Sequence, residues 1–159
     1  MSPFGSMLGL VIRPADQWAS EGGVYHAARE RAGRSRQHEG IDLLTFIDQP
    51  ILAPATVRFP RVADPYPPEK DDILLGVYLE TLDQIGIKFL YCRPNVKALG
   101  SIVPKGGIVG WAQSLQHLYP GSRDHIHAEI WLAGMRADPT PYFMDTGAPL
   151  LPSAARVIA

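Results

Sequence analysis

The chain has 159 residues, a formal net charge of −1 and a charged fraction of 19%. That length bounds it to one domain with a real core, and the balanced charge excludes the basic field that a phosphate backbone requires, so nucleic acid is not an expected partner. A single cysteine, Cys92, excludes an intramolecular disulfide framework and any cysteine-based metal site.

Fifteen glycines and fifteen prolines favour turns and short strands over long helices. Residues 8–12 read as a short strand or docking arm. The apolar run 7–12 lacks a basic flank and a small-residue cleavage site, and Arg13-Pro14 ends it too early for a membrane span. Residues 14–21, around Trp18, read as one helical turn before Gly22-Gly23. Arg29, Arg31, Arg34 and Arg36 form a basic run that reads as a solvated loop, although one of them could serve a site as a carboxylate partner. Residues 38–47 are expected to be a strand, with a turn at Asp48-Gln49-Pro50. Residues 51–59 are expected to be a second strand, with Pro54 marking an edge or bulge. The proline-rich stretch 60–72 reads as a surface loop and a candidate cleft rim.

Residues 73–81 and 87–92 flank Leu82-Asp83-Gln84-Ile85-Gly86 as an antiparallel hairpin. Residues 100–109 hold short strands around the Pro104-Lys105-Gly106-Gly107 turn. In 111–119, Leu115 and Leu118 stand at helical spacing, so a short helix is expected up to Pro120-Gly121. Residues 123–132 read as a strand whose core face is Ile126, Ala128 and Ile130, and 138–143 as a closing turn. The reading is an N-terminal arm over 1–21, one mainly β domain over 22–145, and a tail over 146–159.

Two stretches carry chemistry: His38-Glu39-Gly40-Ile41-Asp42 and His125-Ile126-His127. On strands, alternation places His38, Gly40 and Asp42 on one face, and His125 and His127 on one face of the second strand. Two ligands from the first stretch and one from the second make a three-ligand zinc site with an open fourth position, the pattern of a catalytic site rather than a structural one. The remaining histidine of the pair would stand beside the metal, where an acid or base is useful. Glu39 does not belong to an HExxH helix, because the fifth residue is Asp42 and Gly40 opposes a helix. Glu129 shares the face of the histidine pair; it reads either as an acceptor for an imidazole N–H or as a solvent-facing residue at the sheet edge.

These motifs, with Pro50-Ile51-Leu52-Ala53-Pro54 and Val103-Pro104-Lys105-Gly106 ahead of Gly110, resemble the LytM/lysostaphin-type zinc metallopeptidases over roughly residues 22–143. The resemblance implies an antiparallel β-sheet domain with a groove on the sheet, zinc held by His38, Asp42 and His127, and His125 assisting catalysis. It also implies peptidoglycan peptides as substrate, and a supporting role for Arg29, which matches the family's arginine upstream of the first motif. Gly23-Val24-Tyr25, Phe89-Leu90-Tyr91-Cys92-Arg93-Pro94 and Leu118-Tyr119-Pro120-Gly121 are similar to the leukocyte cell-derived chemotaxin-like branch. In that branch a tyrosine replaces the peptidases' third catalytic histidine. The matching residue here is Tyr91, with Cys92 and Arg93 as the neighbouring registers. Two functions follow as expectations: a zinc-dependent peptidoglycan endopeptidase, or a catalytically degenerate zinc domain that binds a peptide or protein ligand. With no export address read in the sequence, a wall-directed domain would leave the cell by lysis or as part of a particle, so a phage tail or baseplate component, with other tail proteins as partners, is a further expectation.

Overall fold

The computed structural model describes residues 23–143 except Ala32; the strand and helical turn expected over 8–21, and the tail from 146, lie outside these. Twelve short strands pair antiparallel throughout the described residues. The main sheet runs β12 (Met135–Ala137), β11 (His125–Leu132), β7 (Gly86–Leu90), β6 (Gly76–Thr81), β5 (Val57–Ala63) and β9 (Ile102–Val103). A further strand, β3 (Ile41–Leu44), lies on the same flank of β11 as β12. A smaller sheet joins β4 (Pro50–Leu52), β10 (Ile108–Ala112) and β8 (Cys92–Pro94).

Strand β11 is central because its alternation serves two needs. Ile126, Ala128 and Ile130 are fully buried and pack with Ile87, Phe89, Val77 and Leu79. A one-residue slip would expose this whole set, so burial fixes the register. The registers His127↔Asp42 and His127↔Leu90 then place residues of three strands side by side on the opposite face. One turn of helix, α1 (Thr140–Phe143), closes the core by laying Phe143 against Phe89.

Four local expectations are corrected. The basic run is not a loop: β1 (Ala28–Arg31) and β2 (Arg34–Gln37) pair as a hairpin across Gly33, whose φ of 71° suits a tight turn. The first motif is not strand throughout, since β3 begins only at Ile41 and His38 precedes it. The strand expected over 51–59 is two strands in different sheets, broken over residues 53–56. Its second part, β5, runs through Pro60, where the pairing shifts between Arg58 and Arg61. Proline donates no ladder hydrogen bond, and such a bulge accommodates it. Finally, 111–119 is no helix: Trp111 and Ala112 belong to β10, and the backbone makes only a single turn in which Leu115 O accepts from Leu118 and Tyr119 N–H. One turn does not repay the cost of helix nucleation, and Asp124 Oδ1 captures the Leu115 N–H from outside.

Candidate metal centre

His38 lies between β2 and β3, with its backbone fixed from both sides: its N–H donates to Ala27 O at 2.9 Å and its carbonyl accepts from His26 N–H at 2.9 Å. Its ring is set by Nδ1, which donates to Val24 O at 2.9 Å. A carbonyl can only accept, so that tautomer leaves the Nε2 lone pair facing the groove. His38 Nε2 stands 3.0 Å from His127 Nδ1 and 3.1 Å from Asp42 Oδ1, and His127 Nδ1 stands 2.9 Å from the same oxygen. All three residues are buried.

Glycine is required at position 40. A Cβ there would stand 2.6 Å from His127 Nε2 and would strike Ala128 O. The first motif's glycine therefore lets the chain pass flush against β11, so that His38 and Asp42 converge on His127.

This donor set fits a cation. His127 points its Nε2 toward Glu129 Oε1 at 3.5 Å, which turns Nδ1 inward. Two imidazole nitrogens and a carboxylate oxygen at mutual distances near 3 Å repel one another unless a proton or a metal ion lies among them. Zinc–ligand bonds of about 2.0–2.2 Å in tetrahedral geometry put donors about 3.3–3.5 Å apart, so a small outward adjustment accommodates the ion. Without metal, a proton takes its place. Burial opposes a charge on His127, but Asp42 and Glu129 outweigh it and hold its pKa above the ordinary value. Burial likewise opposes the Asp42 carboxylate, and the hydrogen bond from His127, with the His38 ring beside it, overcomes that and holds its pKa far below the usual range.

The other predicted residues divide. His125 lies on the same face; its Nδ1 donates to Arg123 O at 2.8 Å, leaving Nε2 toward the site, 3.8 Å from Asp42 Oδ2. Tyr91 sits at the joint between β7 and β8 with φ of 66°, a turn that swings its ring out of the strand and edge-on to His125 at 5.5 Å. Of the neighbouring registers, Cys92 is fully buried, with burial pushing its thiol pKa up to about 12, and Arg93 reaches out to Asp48. Tyr91 is therefore the residue of the three that faces the groove. The solvent-facing reading of Glu129 is overturned. It is 3% exposed and accepts from Trp131 Nε1 at 2.8 Å, with Arg136 Nε at 3.3 Å and Lys88 Nζ at 3.5 Å. Burial raises its pKa, but His127, Lys88 and Arg136 hold it down at about 2. Arg29 lies in β1 and its side chain is outside the described residues.

Sequence reading missed Arg136, Lys88, Tyr66 and Tyr119, which line the same groove of about 580 Å³. Arg136 and Lys88 were findable by period two, because they sit in register opposite Trp131 and Glu129 on strands flanking β11. Tyr66 was not, since it lies on the expected rim loop and reaches Tyr91 and Tyr119 hydroxyls at 3.0 and 2.5 Å.

No family model matches the chain. Mouse leukocyte cell-derived chemotaxin-2 is 33% identical over 131 residues, 82% of this chain and 78% of that protein. Among solved structures, the catalytic domain of the antimicrobial peptidase lysostaphin from Staphylococcus simulans superposes with a TM-score of 0.55 at 20% identity, covering 75% of this chain and 87% of that one. A zinc-containing peptidase from Vibrio cholerae gives 0.56 at 18% identity, covering 77% of this chain and 35% of that one. At those identities the two structures share the fold with this chain.

Proposed function

We propose a function from one premise: the chain belongs to the LytM/lysostaphin-type family, in its leukocyte cell-derived chemotaxin branch. The function is that of a zinc-dependent domain acting on the peptides of bacterial cell-wall peptidoglycan, with His38, Asp42 and His127 as metal ligands. The observation that carries this reading is the cluster of His38 Nε2, Asp42 Oδ1 and His127 Nδ1 at the floor of an open groove. Bound zinc would polarise a peptide carbonyl and lower the pKa of water. The chain's own residues supply the rest. His125 Nε2 can accept a proton and later return it to a leaving amine, because Nδ1 is committed to Arg123 O. Glu129 orients His127 by facing its Nε2–H. Tyr91 offers a phenol where the peptidases carry an imidazole; it can donate to a developing oxyanion but is a poor base near neutral pH.

That substitution favours a second reading, a zinc-bearing domain that binds peptide without cleaving it. Losing one such donor or acid costs about 10²–10⁴ in rate. The deciding experiment incubates the zinc-loaded protein with purified peptidoglycan and follows release of free amines, with His127→Ala as control. Release that the control abolishes supports the peptidase reading; zinc-dependent sedimentation with peptidoglycan and no release supports the binding reading. The export and phage-tail expectations rest on the sequence around residues 1–22, outside the described residues, and nothing in the fold adds to them; the described residues contain no helix long and apolar enough to cross a membrane.

A further inference from the structure

The groove has two unlike ends on either side of the metal ligands. At one end the hydroxyls of Tyr66, Tyr91 and Tyr119 meet, each from a different segment. Tyr66 is held there by its loop. Asp71 bonds His117 at 2.8 Å and caps Leu74 N–H, and Gln113 grips the backbone of Leu75 and Ile73. Burial, and then hydrogen bonding to Tyr119 and Tyr91, raises the Tyr66 pKa, so its phenol is neutral, and Lys70 Nζ lies 3.4 Å over the Tyr66 ring on that side. At the other end, the Glu39 carboxylate lies between two guanidiniums, 2.9 Å from Arg136 and 3.7 Å from Arg36. Glu39 is 43% exposed and the Arg36 side chain 64%. With Lys88 on Glu129, three cations face two carboxylates there. The groove continues past Arg36 and Arg136 into an adjoining cleft of about 370 Å³ beside Tyr25 and His26. The chain thus already places a carboxylate at this end, between two arginines.

We propose that the groove is polarised, and that it takes a peptide with its uncharged portion beneath the Tyr66 hydroxyl and an acidic group against Arg36 and Arg136. This rests on the peptide-binding reading above and names the chemistry and direction of the ligand. Arg36 is its specificity-determining residue, Tyr66 holds the uncharged portion, and Glu39 is an internal competitor for the arginines. A merely structural Glu39 would weaken the site when neutralised. A competitor would strengthen it.

The test measures binding of two acetylated, amidated peptides, Gly-Gly-Gly-Glu and Gly-Gly-Gly-Gln, to the zinc-loaded full chain by calorimetry, with zinc content determined on the same samples. The acidic peptide is expected to bind about two- to fivefold tighter, the contribution of an exposed ion pair, with the advantage lost at 1 M salt. Arg36→Gln should abolish the difference, and Glu39→Gln should widen it. Tyr66→Phe should weaken both peptides alike, by about two- to tenfold, the worth of one hydrogen bond. Equal affinities for the two peptides in wild type, a Glu39→Gln variant that loses the preference, or no binding of either peptide at millimolar concentration would each overturn the inference. Loss of zinc or of peptidoglycan binding and release would instead strike the underlying reading, and those quantities are measured independently.

Discussion

Gly40→Ala tests whether the first motif is built to bring the chain against a metal ligand. The added methyl would stand 2.6 Å from His127 Nε2 and 2.7 Å from its Cε1, and closer still to Ala128 O, whereas ordinary contact begins at 3.4 Å. The imidazole must therefore retreat by about 0.8 Å, several times the ~0.2 Å tolerance of a zinc–ligand bond. Neither obstacle is a flexible chain end. Ala128 is backbone of the central strand, paired to Ile41 on one side and Phe89 on the other. Overpacking of this kind costs about 1–3 kcal/mol, and displacement of one ligand should lower zinc affinity at least tenfold. Thermal unfolding of the metal-free protein reads the first effect, and competition with a chromogenic chelator reads the second. Gly106→Ala is the contrast, because its added Cβ meets nothing within 4 Å and only its φ of 82° resists the change. That variant should lose stability while keeping zinc affinity. A Gly40→Ala protein with wild-type zinc affinity would refute the account of why glycine stands there.

The sequence made the site legible where spacing alone determines position. His125, His127 and Glu129 share a face of β11 because side chains alternate on any strand, and Ile126, Ala128 and Ile130 declared the buried side. His38 reaches the cluster with Asp42 and His127 by other means than alternation: it precedes β3, and its position comes from backbone bonds to Ala27 and His26 and from Val24 O. Those bonds are non-local pairings that no period can reveal. The basic run is a hairpin and not a loop because charge pattern reports solvation, and the described residues of β2, Ser35, Arg36 and Gln37, are as exposed as a loop would leave them. No helix forms over 111–119 because Leu115 and Leu118 keep helical spacing within one turn only, while Asp124 and the ladders of β10 with β4 and β8 claim the surrounding backbone. Of the two readings of Glu129, the solvent-facing one at a sheet edge fails, because β11 is flanked by β7 on one side and by β3 and β12 on the other. Four donors then converge on a carboxylate that burial alone would have rejected.

Glu129→Ala should destabilise the fold by about 1–3 kcal/mol by stranding the Trp131 indole N–H, and should weaken zinc binding about ten- to a hundredfold by releasing His127; chemical denaturation and chelator competition check the two, and unchanged zinc affinity would return Glu129 to a purely structural role. With zinc on the proposed ligands, protons and zinc compete for the same atoms, so the thermal shift produced by excess zinc should be small at about pH 5 and grow toward about pH 8. The sign reverses without metal: because the His127 pKa is raised on folding, its charged form contributes stability that is fully present below pH 6.5 and is lost as pH rises through the raised value. A zinc-induced shift largest at the acid end would contradict the first statement, and a His127→Gln variant whose metal-free stability keeps the wild-type pH dependence above pH 6.5 would contradict the second. Tyr91→His should raise release of amines from peptidoglycan above wild type. Histidine tolerates the φ of 66° at this joint, since it is among the residues enriched in the left-handed region, so the exchange keeps the backbone path between β7 and β8. It gives up the 3.0 Å bond to Tyr66, a loss of about 0.5–1.5 kcal/mol that the fold can bear. What it adds is a group able to take or give a proton near neutral pH, beside His125 and across from the metal ligands. If the variant folds, holds zinc and releases no more amine than wild type, then the tyrosine is not what limits hydrolysis, and the barrier lies in how the groove receives its peptide under the Tyr66 loop.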